Sequence, residues 1–261
     1  MLDLLNGPWG FMRERTKRWL PSLREPVAGI PIGWLLLFLA FANLMLAFPG
    51  IDLAVAGWFY TPGAGFEALG TPWERLLYHS VEVLMVAGNL ALILVWVLNR
   101  RQRRRGAAAL LGLSGRKLAL LLCLLALLPG LVVNQIFKEH WGRARPVQVS
   151  ALGGDRPFTP AFVHTGARGG SFCSGHVAAA AYLIAVAHLL GGPRSGWFIA
   201  AVLYTALVGL ARMAAGGHFL SDVLASMFLV LLGYLLLRHL FCRAEDPETR
   251  PDAANGERQL R

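Results

Sequence analysis

The chain has 261 residues, of which 56% are hydrophobic and only 15% charged, and its mean hydropathy is +0.51. Soluble domains are about 45–50% apolar and about 25% charged, so a disordered, collagen-like or disulfide-stapled chain is excluded and a single membrane-embedded domain is indicated. The net charge of +10 comes from Lys and Arg that flank long apolar runs. That is the pattern of cytoplasmic loops in membrane proteins rather than of a nucleic-acid surface.

A bilayer-spanning helix needs about 20 mostly apolar residues. Six runs meet this in chain order: 32–48, 76–98, 118–137, a fourth that follows His176 and ends near 191–193, then 197–210 and 219–237. The reading is all-α: a six-span domain at 32–240, a cytoplasmic interfacial segment at 1–31 and a disordered cytoplasmic tail at 241–261. Residues 1–31 lack the compact apolar core of a cleavable signal, so the first span is expected to direct insertion. The stretch 48–60, from Phe48 to Tyr60, is apolar and aromatic and reads as a loop on the outer interface. Cys123, Cys173 and Cys242 build no disulfide framework. Cys173 lies in a loop and is expected to meet a thiol reagent from outside, provided the site is open.

Eighteen of the 25 Lys and Arg fall in the N-terminal segment, the 99–117 loop, the 191–196 loop and the tail. Arg75, Lys138, Arg143, Arg145, Arg156, Arg168 and Arg212 fall on the other side. The positive-inside rule then puts both termini in the cytoplasm and the second group outside it, in a bacterial inner membrane.

Three polar clusters share that outer side. In Lys138-Glu-His-Trp-Gly-Arg-Ala-Arg145-Pro146, the two cations share a face if the helix runs on for two turns, and they suit an oxyanion. Cations snorkelling at the interface would read the same way. Ser171-Phe-Cys-Ser174-Gly175-His176 opens a helix, where free N–H groups favour an anion; an ordinary Ser cap is the alternative. In Arg212-Met-Ala-Ala-Gly-Gly-His218-Phe-Leu-Ser-Asp222, His218 and Asp222 are four apart, so their side chains are expected to meet on the start of the last span. A carboxylate on one imidazole nitrogen would leave the other nucleophilic. Together the clusters describe a phosphate site with a nucleophile and an acid.

In these residues the chain resembles the type 2 phosphatidic acid phosphatase superfamily, which also includes vanadium haloperoxidases. The family pattern is Lys-x6-Arg-Pro, Pro-Ser-Gly-His and Ser-Arg-x5-His-x3-Asp. Here it stands as Lys138-x6-Arg145-Pro146, Cys173-Ser174-Gly175-His176 and Ala211-Arg212-x5-His218-x3-Asp222. Cys173 replaces the usual Pro and Ala211 the usual Ser, which removes one hydroxyl near the site. The resemblance implies that His218 attacks phosphorus, Asp222 orients it and His176 protonates the leaving oxygen and then activates water. It further implies that Lys138, Arg145 and Arg212, with Ser174 and Gly175, hold the phosphoryl oxygens. No cofactor and no metal are expected.

The expected partner is a membrane lipid phosphate whose chains stay in the bilayer. The 147–172 loop adds Arg156, His164 and Arg168 among Phe158 and Phe162, so Arg156 and Arg168 are candidates for touching a large head group; a solvated lid is the alternative. This loop and the 48–60 segment resemble the bacterial branch that includes lipid A phosphatases. Phosphatidylglycerophosphate, undecaprenyl diphosphate and phosphatidic acid remain open as substrates. A lipid phosphotransferase and a lipid-phosphate transporter are the competing functions. The transporter is disfavoured because the chain shows no internal repeat, and a soluble-type haloperoxidase because the chain is membrane-embedded.

Overall fold

The computed structural model describes residues 26–106, 108–167 and 169–242. A two-residue hairpin, β1 (Pro26–Val27) with β2 (Ile30–Pro31), leads into helix α1 (Ile32–Ala47). Pro49 ends that helix, and the chain bends by 83° into α2 (Gly50–Gly57). The expected interfacial loop is therefore partly helical, and its Asp52 is buried, not solvated.

Helix α3 (Pro72–Arg103) is longer than the apolar run alone suggests. Pro72 opens it, where a missing N–H costs nothing. Arg100, Arg101 and Arg103 close it, where cations complement the helix dipole. Helix α4 (Gly115–His140) begins at Ser114, whose Oγ accepts from the Lys117 amide at 3.2 Å. From Ala126 to Phe137 it winds as a wider π-helix around Pro129, which cannot donate to an α-helical partner. Helices α5 (Gly175–Gly191), α6 (Gly196–Ala214) and α7 (Leu220–Cys242) complete the bundle.

Helix α5 sits at its centre. Ala178, Ala181 and Ala185 are small enough to let α4 and α7 close on it, so that Leu120, Leu121, Leu124, Ala225 and Val230 are buried. Polar ties are few and paired: Tyr182 donates to Asn89 at 2.7 Å, and Ser80 meets Tyr204 at 2.8 Å. Outward, α3 exposes Leu76, Val83, Val86, Leu90 and Leu94, a face that only a lipid environment accommodates.

Among the described residues, α3, α4, α6 and α7 are long and apolar enough to cross a membrane; α1 and α2 make a fifth if the bent pair is one span, and α5 is apolar but has only 17 residues. The starts of α3, α5 and α7 and the ends of α4 and α6 lie at one end of the bundle. The Arg-rich end of α3 and the start of α4 lie at the other. Reporter fusions at Gly106 and Gly153 should therefore report opposite faces of the membrane; reports from the same face would break this arrangement.

Candidate active site

The start of α5 builds the first wall. Ser174 occupies the cap position, but its hydroxyl makes no capping bond; it is buried without a partner among the described residues. The first-turn N–H groups have no acceptor within the helix. A side chain at Gly175 would run into Asn134 Oδ1, so only glycine brings this helix start against α4. His176 follows, its ring centroid 4.0 Å from that of Tyr78.

The end of α6 supplies Arg212. Its Nη1 donates to Glu74 at 2.9 Å, its guanidinium lies 5.0 Å from the Tyr78 ring centroid, and its Nε is buried without a partner. Glu74 and Tyr78 are four apart on α3 and so share a face. One helix outside the three clusters thus holds both the cation and the His176 ring.

After α6 the chain turns at Gly216, whose φ of +64 suits glycine. A β-carbon there would also meet the Phe66 ring at 2.6 Å. The turn presents His218, which is 4% exposed and whose Nδ1 lies 2.7 Å from the Ser171 carbonyl oxygen. A carbonyl can only accept, so Nδ1 carries the proton and Nε2 keeps its lone pair. Burial, then the nearby Arg212 guanidinium, hold this imidazole well below its usual range, with Arg145 and His176 adding to the effect. Both effects favour the neutral ring.

Two expectations about spacing are corrected. His218 precedes α7, which begins at Leu220, so helical i, i+4 geometry does not join it to Asp222. Asp222 instead accepts from the Phe219 amide at 2.8 Å, the Ser171 hydroxyl at 2.6 Å and Arg143 Nη1 at 2.5 Å. Its link to His218 runs through Ser171, whose hydroxyl binds the carboxylate while its carbonyl binds the ring. Likewise α4 stops at His140, and Arg145 stands in extended conformation before the Pro146–Gln148 turn. Lys138 and Arg145 meet because the loop folds back, not by helical periodicity. Both line a cavity of about 310 Å³ with Glu139, Gln148, Arg156, Gly169 and Gly170. Neither forms an ion pair among the described residues. Arg168 lies outside the described residues. Cys173, expected to be reachable, has no exposure, and burial pushes its thiol up.

Sequence reasoning gave no role to Arg143, the largest fully buried side chain described. It bonds Asp222, Ser221 at 2.8 Å, Asp52 at 2.7 Å and the Thr159 carbonyl at 3.0 Å, under the Phe219 ring. Asp52 also accepts from the Ser221 amide and hydroxyl. Asp52, a carboxylate in an apolar stretch of a membrane chain, carried a usable signal, because such residues are rarely idle. Glu74 carried the same signal more faintly. Arg143→Met would leave two buried carboxylates without their cation, a loss of roughly 3–5 kcal/mol. A much lower unfolding midpoint in detergent than for wild type is the expected result; an unchanged one would mean the carboxylates find other partners.

The profile of the PAP2 superfamily matches residues 116–245. The chain is 30% identical over 232 residues to the lipid A 4'-phosphatase of Francisella tularensis subsp. novicida (strain U112), covering 83% of this chain and 97% of that one. It is 32% identical over 202 residues to the lipid A 4'-phosphatase of Rhizobium leguminosarum, covering 68% and 81%. Among solved structures it is similar to a transmembrane PAP2-type phosphatidylglycerolphosphate phosphatase from Bacillus subtilis, with a TM-score of 0.50 and 21% identity over 84% of this chain and 98% of that one. With the three clusters gathered at one end of the bundle and relatives matched over most of their length, the chain belongs to the PAP2 superfamily.

Proposed function

We propose that this membrane lipid phosphatase removes a phosphate from a lipid A-type glycolipid on the periplasmic side of the bacterial inner membrane. In this reading the chain passes the membrane six times, with both termini cytoplasmic and the α1–α2 pair and α5 as two of the passes. The relatives' names support the substrate class. The observation that carries the chemistry is the bond from His218 Nδ1 to the Ser171 carbonyl, which leaves Nε2 as a neutral nucleophile.

The Nε2 lone pair attacks phosphorus in line. The bond from phosphorus to the lipid oxygen breaks, and that oxygen takes a proton from His176. Lys138, Arg145 and Arg212 hold the equatorial oxygens as charge spreads over them, with the Ser174 hydroxyl and the first-turn amides of α5 as further donors. The unpartnered Ser174 Oγ and Arg212 Nε fit this role. A phosphoryl group bound among these cations offsets their charge and favours the protonated His176 that the leaving oxygen requires. Water then gives its proton to His176 and attacks phosphorus, and the pair of the P–N bond returns to Nε2. Arg156, which lines the cavity with Lys138 and Arg145, is assigned contact with a distal part of the head group, and Arg168 is assigned the same role. The same site would serve a phosphotransferase with a lipid acceptor in place of water.

Phosphate release from lipid A, phosphatidylglycerophosphate, phosphatidic acid and undecaprenyl diphosphate, measured in EDTA, tests the substrate reading. Lipid A should be the preferred substrate, and a preference for any other would replace it. With labelled substrate bearing a good leaving group, His176→Ala should accumulate an acid-labile phosphohistidine, and His218→Ala should trap none. Label on a different residue would remove His218 from its role. The pH profile gives a further check. Protonation of His218 abolishes attack, and its folded pKa is depressed, so the loss of kcat/KM from this group should come below the ordinary histidine value of about 6.5. A nucleophile titrating at or above that value would contradict the buried, cation-facing ring.

A further inference from the structure

We propose that Asp52 and Arg143 are positioning residues for His218, and that their charges, acting through Asp222 and Ser171, hold the imidazole for attack and stabilise it once phosphorylated. This rests on the reading of His218 as the nucleophile.

When Nε2 bonds to phosphorus, the ring still carries its Nδ1 proton, because the Ser171 carbonyl cannot take it. The phosphorylated imidazole therefore bears a positive charge inside a buried site. The negative oxygens of the attached phosphoryl group are taken up by Lys138, Arg145 and Arg212 in this reading, so a separate negative charge near the ring lowers the cost of the step. Asp222 is the nearest carboxylate in the network, yet it is paired with Arg143, which by itself would cancel it. Asp52 changes that sum. It binds the same guanidinium from the other side, so the buried group of two carboxylates and one guanidinium keeps one net negative charge. Arg143 and Asp52 have side-chain exposures of 0% and 1%, so water does little to screen them.

The geometry is as constrained as the charge. Ser171 is clamped twice: its hydroxyl donates to Asp222, and its amide donates to the Arg143 carbonyl at 3.2 Å. The carbonyl of that same residue holds the ring. A shift of Arg143 would thus move both anchors of the loop that sets the tautomer. Asp52 fixes Arg143 from α2 and also takes the Ser221 amide at the start of α7. The elbow after α1 becomes part of the active site, although it carries none of the three clusters.

Asp52→Asn keeps the shape and removes the charge. Relative to wild type, kcat and the steady-state level of trapped phosphohistidine should both fall about 10- to 100-fold, the usual cost of losing a supporting partner. The affinity for inorganic phosphate, which the cations hold without a bond to Nε2, should stay within about threefold, because Lys138, Arg145 and Arg212 are untouched. Ser221→Ala, which loses hydrogen bonds in the same network but no charge, should fall less. If the Asp52→Asn protein does not fold, Ser171→Ala takes its place: it frees the loop from Asp222 while keeping the carbonyl on the ring, and it must show the same loss of phosphoenzyme with binding of inorganic phosphate retained. Phosphoenzyme undiminished in the variant, or a loss matched by the affinity for inorganic phosphate, overturns this inference alone. No label on wild-type His218 overturns the nucleophile reading and this inference with it.

Discussion

Arg143 has to be neutralised, and much of the active end follows from that requirement. A guanidinium with no exposure is tolerated only when its donors are all met. Here one donor faces Asp52 on α2, another faces Asp222 and Ser221 on α7, and a third faces the Thr159 carbonyl in the long loop. Its own carbonyl accepts the amides of Gly170 and Ser171. Four pieces of chain that are distant in sequence are drawn to one point. Phe219 and Phe158 close over the guanidinium and exclude water. The orientation of His218 is a consequence of this packing, because the residue that holds its ring is itself held by Arg143 and Asp222.

On the other side of the site the same device recurs in a looser form. Among the described residues Arg212 is paired with one carboxylate, Glu74, and its buried Nε–H has no partner. Lys138 and Arg145 are half-buried at the cavity and have no ion-pair partner among the described residues. The cations thus separate by task. Arg143 is paired with two carboxylates, Arg212 with one, and Lys138 and Arg145 with none among the described residues, which in the proposed reading leaves the last three for an anion. Preorganised cations of this kind need not reorganise as phosphoryl charge develops. Tyr78, between Arg212 and His176, keeps the cation and the imidazole at a fixed separation.

The two departures from the family pattern fall at buried positions. Cys173 and Ala211 are at most 1% exposed. Cys173 packs in the core beside Phe172, which stacks on Trp141 at 4.9 Å, and the helix start after it is intact. The hydroxyl absent at Ala211 does not leave Arg212 unsupported, because its pairing comes from Glu74 on α3.

Composition and hydropathy by themselves determined a membrane-embedded helical chain, because so much apolar surface has no other environment. The cation, serine, glycine and histidine spacing determined which residues gather at one end, since each cluster adjoins the end of an apolar run. Sequence spacing did not determine how they meet. Helix α4 stops at His140, before Arg145, and α7 begins at Leu220, after His218, so seven- and four-residue intervals no longer specify a shared face for Lys138 and Arg145 or a contact between His218 and Asp222. Ser171, Glu74 and Tyr78 act through contacts with residues far away in the chain, which no local pattern encodes. The burial of Arg143 between Asp52 and Asp222 was likewise decided only by tertiary structure: from the sequence it is one more cation in a basic loop, and only packing removes it from water and compels two carboxylates to follow.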